Sequence, residues 1–258
     1  VLITYSHQHL HVGDLLAHRR FWVDGLGGTA APRLGGVETV RMAGSLVFLE
    51  AKPNTGGTKG TTVNHIGFQV PDLRQAVSRI RAAGFPMVTR EEITAVPPEA
   101  VKDDMAFNPF METLVAMTMG PEGTKVELVE NPALEVSIAI HHVHFFNPAQ
   151  QQMRDWYAAM FGASPGSRGK FLTAELPDVS LTVSASQQPV VGTRGRVIDH
   201  IGFNVDRLDE LTRKLQAAGA TLQASDPRLE AIGVHSAFIT DPWGTSVELT
   251  EGLERAAS

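Results

Sequence analysis

The chain has 258 residues, 43% apolar and 19% charged, with a formal net charge of −6 and no cysteine. This is ordinary globular composition, enough for one large domain or two average ones. It excludes disulfides, thiolate ligands and a cysteine nucleophile. The absence of any Lys/Arg-rich run, or of about 18 consecutive apolar residues, argues against nucleic acid or a membrane as partner.

The first segment, "HQHLHVGD" from His7 and "RRFWVDGLGG" from Arg19, combines a histidine-rich strand with an aromatic helix. Val1 in place of Met is expected of a trimmed or processed N-terminus. In "NHIGFQV", Ile66, Phe68 and Val70 alternate with His65, Gly67 and Gln69, the period of a strand with one buried face. A helix is predicted after Asp72, because Leu73, Ala76, Val77, Ile80 and Ala83 form an i, i+3, i+4, i+7 stripe. Asp72 is its expected N-cap and Gly84 its stop. The stretch around "AVPPEAVKDD" reads as a surface loop, and "GTKVELVEN" from Gly123 as a closing strand.

The second half repeats the first. "NHIGFQVPDLRQAVSRIRAAGF" from Asn64 aligns without a gap on "DHIGFNVDRLDELTRKLQAAGA" from Asp199, and Glu127 falls on Glu248 of "GTSVELTEG". The second segment is longer than the fourth by about fourteen residues, all in the acidic loop. The first and third segments pair less cleanly, with His9 set on His142, His11 on His144, Trp22 on Tyr157 and Gly27 on Gly162. The last segment should contain a helix on Leu208, Leu211, Leu215 and Ala218, then strands near 220–224, 234–240 and 245–250. Four modules of one strand, one helix and three strands follow, an α+β chain in two halves, 1–132 and 137–254, joined near "ENPALEVS".

The apolar residues of each strand must cover the helix stripe, so the histidines and glutamates share the opposite face. A solvated face has no reason to repeat residue type. Yet His9, His65, His142 and His200 occupy one slot of the four first strands, and Glu127 and Glu248 one slot of two closing strands. Two imidazoles and a carboxylate on one concave face form a 2-His-1-carboxylate set, able to hold a divalent metal with positions open for substrate. Trp22, Trp156 and Tyr157 read as core, and His7, His18 and His141 as lying off the cleft.

At "DHIGFNV…DPWGTSVEL" the chain resembles the vicinal oxygen chelate superfamily, which includes glyoxalase I, fosfomycin- and bleomycin-resistance proteins and extradiol dioxygenases. The resemblance covers essentially the whole chain. It implies paired βαβββ modules forming two U-shaped, partly closed barrels. It also implies one divalent metal per site (Zn, Fe, Mn, Ni or Co) and a small-molecule substrate that chelates through oxygen. Carried over, the ligands are His142, His200 and Glu248 in the second half, and His9, His65 and Glu127 in the first. The slot of glyoxalase I's fourth ligand holds Phe48 or Thr182, with Glu50 two residues on. The slot of the dioxygenases' tyrosine holds Phe238. His144 and His235 are the candidate proton-transfer residues. Non-oxidative lyase or isomerase chemistry is the favoured expectation; an Fe(II) ring-cleaving dioxygenase and a metal-free binding protein are the alternatives. Homo-oligomerisation and compartment stay open.

Overall fold

The computed structural model describes residues 1–257. The first module comprises β1 (Ile3–Val12), α1 (Leu15–Arg19) running into a π-helical turn at Arg20–Gly25, and β2 (Thr29–Leu34), β3 (Val37–Met42) and β4 (Ser45–Ala51). The second has β5 (Val63–Val70), α2 (Leu73–Ala82), α3 (Thr89–Glu92), β6 (Ala106–Asn108), β7 (Thr113–Met119) and β8 (Lys125–Glu130). The third has β9 (Ala139–Asn147), α4 (Gln150–Phe161), β10 (Ser164–Arg168), β11 (Phe171–Glu175) and β12 (Ser180–Ala185). The fourth has β13 (Ile198–Val205), α5 (Leu208–Ala217), α6 (Pro227–Glu230), β14 (His235–Thr240) and β15 (Ser246–Glu251), followed by α7 (Leu253–Ala256). The strand expected near 220–224 is reduced to one bridge, between Gln223 and Phe238.

Local signals act as their chemistry requires. The Asp72 carboxylate accepts from the Gln75 N–H and starts α2. Gly84, at φ +86°, ends it in a conformation a side chain would resist. Leu73, Ala76, Val77 and Ile80 are buried, as are Leu208, Leu211 and Leu215 on α5.

The modules pair across the halves. One sheet runs β14-β15-β13-β1-β4-β3-β2 and so joins the first module to the fourth. The other runs β10-β11-β12-β9-β5-β8-β7-β6 and joins the third to the second. This corrects the expectation that 1–132 and 137–254 each contain a complete paired-module barrel. Consecutive modules do meet, but through the helix side. Trp22 packs edge-on to Phe68 at 6.0 Å and Phe21 to Phe85 at 5.0 Å, while Phe161 lies 5.2 Å from Phe203. Each half therefore buries its helices against itself and lends its strands to the other half.

This topology is testable without any ligand. Cleavage in the exposed stretch 133–137 should leave two fragments that coelute on gel filtration, held by both sheets. Fragments that separate in native buffer would contradict the crossed pairing.

Candidate metal centres

Where β1 and β13 pair antiparallel, His9 lies opposite His200 and His7 opposite Gly202. The parallel neighbour β15 sets Glu248 beside Gly202. A Cβ on Gly202 would sit 2.0 Å from the His7 ring, so glycine is what allows the imidazole to cross the strand. His7 Nε2 and His200 Nε2 then stand 3.0 and 3.5 Å from the same oxygen of Glu248.

Both imidazoles are held from behind. His7 Nδ1 is 2.8 Å from Ser6 Oγ, and His200 Nδ1 is 2.8 Å from Asp199 Oδ1. Neighbours on a regular strand point to opposite faces. Here Ser6 and Asp199 are the extra residues of two β-bulges, which turn them toward the rings that follow. A carboxylate only accepts, so His200 Nδ1 carries a hydrogen and its Nε2 is directed inward. Glu248 Oε1 is buried with no hydrogen-bond partner, and the two Nε2 atoms have only the other Glu248 oxygen beside them. Buried polar atoms are rarely left so. Two imidazole nitrogens and a carboxylate oxygen suit a divalent transition ion, and the hydrogen bonds at Nδ1 are the support such ligands normally have.

His200 and Glu248 of this set line a cavity of about 490 Å³, while His7 is fully buried and outside its lining. The His9 ring stacks on Phe48, 5.4 Å between centroids, and its Nε2 is 3.1 Å from Glu50 Oε2. Arg228 on α6 holds the other Glu50 oxygen at 2.8 Å. The hydrogen bond from His9 is the main reason the Glu50 carboxyl is held down at about 2. Burial, then the neighbouring His200, lowers His9 to about 4.

The other sheet builds a related set. β5 and β9 pair with His65 opposite His144 and Gly67 opposite His142, and β8 sets Glu127 beside Gly67. A Cβ on Gly67 would again fall 2.0 Å from an imidazole, that of His142. His65 Nε2 and His142 Nε2 lie 3.0 and 3.1 Å from one Glu127 oxygen. Asn64 and His141, again bulge residues, hold the two Nδ1 atoms at 2.9 and 2.8 Å. The cavity here is only about 30 Å³.

The expected ligand sets are therefore exchanged. His200 and Glu248 meet His7, not His142; His65 and Glu127 meet His142, not His9. The cause is the crossed pairing of first strands. His9 sits two residues beyond His7, in the position His144 holds in the second cluster. His144 belongs to the small cavity. His235 is exposed at the start of β14 and does not line the large one. Phe238 does, with its ring edge-on to His200 at 5.1 Å.

Sequence reasoning missed His7, and the signal was present. His65 and His200 are 135 positions apart, as are Trp22 and Tyr157, and Gly27 and Gly162. The same spacing sets His7 on His142 and His9 on His144. Asp199 and Glu50 were also missed as supporting carboxylates.

The sequence profile described as the Glyoxalase/Bleomycin resistance protein/Dioxygenase superfamily matches residues 97–249, more than half of the chain. Among solved structures, glyoxalase I from Zea mays is similar at 14% identity and a TM-score of 0.71, covering 98% of this chain and 95% of that one. A protein from Bacillus subtilis described as a candidate dioxygenase is similar at 15% identity and a TM-score of 0.67, covering 96% and 84%. At these identities the likeness is one of fold. No curated protein matches the sequence significantly.

Two outcomes test the larger centre. Gly202→Ala should displace the His7 ring and lose metal in elemental analysis while the far-UV spectrum is kept. The second concerns protons. In the metal-free protein, burial opposes the His200 imidazolium, but Asp199 and Glu248 outweigh it and push it up to about 9. The imidazolium thus contributes stability fully present below pH 6.5 and lost as pH rises through about 9. A bound ion must expel that proton, so metal affinity should rise by about tenfold per pH unit over this window. Competition with a chelator would measure it, and a flat profile would contradict the assignment.

Proposed function

The chain belongs to the Glyoxalase/Bleomycin resistance protein/Dioxygenase superfamily, and from that footing we propose that the pocket between the first and fourth modules is the active site of a divalent-metal enzyme. Its reaction is a lyase- or isomerase-type proton transfer on a small substrate that chelates through two oxygens. One observation carries this reading: the His7 and His200 Nε2 atoms meet at one buried oxygen of Glu248, and His200 and Glu248 line a cavity of about 490 Å³.

A bound divalent ion, of the zinc, iron, manganese, nickel or cobalt type, would supply Lewis acidity toward charge developing on a substrate oxygen. The remaining work falls to side chains of this chain. His9 lines the pocket and is the proton acceptor in this reading. Its Nε2–H donates to Glu50, which leaves Nδ1 as the basic atom, and the carboxylate stabilises the imidazolium formed when a proton arrives. Burial keeps His9 neutral at pH 7, the state in which it can accept. Phe48, Phe238, Leu34 and Leu229 line the same cavity and limit water around the reacting centre.

The same three donors also suit non-haem iron, which keeps a ring-cleaving dioxygenase as the second reading. Against it, Phe238 offers neither a proton nor a hydrogen bond beside His200.

Glu248→Gln should remove metal from this site without unfolding the chain. His9→Ala should keep the metal and lower turnover by roughly 10²–10⁴-fold, the usual contribution of a positioned base. Rapid, stoichiometric O₂ uptake by the iron-loaded protein with catechols, abolished by Glu248→Gln, would instead favour the dioxygenase. Intact metal content in Glu248→Gln would defeat both.

A further inference from the structure

We infer that the second donor cluster, between the second and third modules, is a sealed structural metal site that staples the two halves of the chain together. This goes beyond the reaction proposed for the larger pocket and does not depend on it.

In this cluster a carboxylate joins three imidazoles within one close donor group, whereas the close group at the larger site is His7, His9 and His200. One atom from each of His65, Glu127, His142 and His144 lies within 4.8 Å of the others, and all four residues are buried. His144 Nε2 is fixed at 2.7 Å from Ser184 Oγ, and its Nδ1 is buried without a partner. Four protein ligands leave a tetrahedral ion no position for water or substrate. The nitrogen-rich set with one carboxylate suits zinc or a neighbouring transition ion rather than magnesium or calcium.

Space points the same way. About 30 Å³ leaves roughly one water's worth of room beside the donors themselves. The plug is the insertion that the fourth module lacks. Ile93, Thr94, Ala95, Asn108 and Met111 line the small cavity. Lys170, on the turn between β10 and β11, donates to the Thr94 carbonyl at 2.5 Å, and Phe110 packs edge-on to Phe171 at 5.8 Å. Glu92 is tied to both Lys59 and Lys125, at 2.7 and 2.9 Å. The segment is thus docked on the third module, across the mouth of the cleft.

Position gives the site its role. His65 and Glu127 come from the first half; His142 and His144 come from the second. An ion bound to all four joins the halves at the β5–β9 ladder. Because it binds the folded chain and not the unfolded one, it adds to stability by mass action.

The test uses the full chain, purified without chelator or affinity metal, and reads metal content, release and melting temperature. Two ions per chain are expected. Prolonged native dialysis against EDTA should remove one and leave one, with the second released only on unfolding. Glu127→Gln should lack the retained ion and melt lower. Phe110→Ala keeps all four donors but loosens the plug, so the retained ion should leave several-fold faster at unchanged stoichiometry. This variant keeps the inference testable where Glu127→Gln fails to fold. A chelated wild-type chain with no ion, or a retained ion that survives Glu127→Gln and vanishes in Glu248→Gln, overturns the inference. A single ion that is freely exchanged and lost in Glu248→Gln would overturn this staple while leaving the larger pocket's reading intact.

Discussion

Four β-bulges set the direction of four imidazoles, and both donor clusters depend on them. A residue next to a histidine on a regular strand faces away from it. At Ser6, Asn64, His141 and Asp199 the ladder carries one extra residue, and that residue turns to hold the Nδ1 of the histidine after it. The four Nε2 atoms are then committed to the interior. The glycines complete the arrangement, since Gly67 and Gly202 clear the room that the His142 and His7 rings occupy. Close approach of a side chain to backbone is a recurring reason for glycine within a strand. Since every bulge lies in a ladder between first strands, no cluster can form inside a single half.

Duplication has left two versions of one construction, and their differences separate the roles. Behind His200 stands Asp199, a carboxylate; behind His65 stands Asn64, which is neutral. A charged partner raises the donor strength of a ligating imidazole. Glu50 supports His9 where Ser184 supports His144, so only the larger pocket pairs its extra histidine with a carboxylate. Phe48 lies beside His9 where Thr182 lies beside His144. The basic, charged and roomy version suits turnover; the neutral and plugged one suits a fixed occupant.

Much of this was legible in the sequence, and what was not has a physical cause. Helix stripes, caps, closing glutamates and the repeat follow from local periodicity, so α2, α5 and the slots of His65, His200, Glu127 and Glu248 could be read directly. Module partnership could not, because "NHIGFQV" and "DHIGFNV" carry the same alternation and would pair acceptably with either first strand. The choice rests on which faces bury together, as with Trp22 against Phe68 and Phe161 against Phe203. The slip from His7 to His9 has a different origin. Histidines at 7, 9 and 11 share one face of a strand of period two, so parity cannot choose among them. The constant spacing of the repeat can.

The wall of the larger pocket is built differently from its floor. The floor is made of central strands and cannot shift without breaking ladders. The wall includes α6, a single turn too short to persist alone. Leu229 on that turn is buried with Leu34, Val37 and Phe48 in a small apolar cluster separate from the main core. Burying one such leucine contributes about 2 kcal/mol. Arg228 reaches across to Glu50, but at 43% side-chain exposure its ion pair is of the kind that contributes roughly 0–1 kcal/mol. The wall is therefore held by far less than the floor. It is also tied, through Glu50, to the histidine assigned as base. Movement of α6 would open the pocket and take Arg228 from Glu50, while the His9–Glu50 hydrogen bond, made between two strands of the floor, would stay in place.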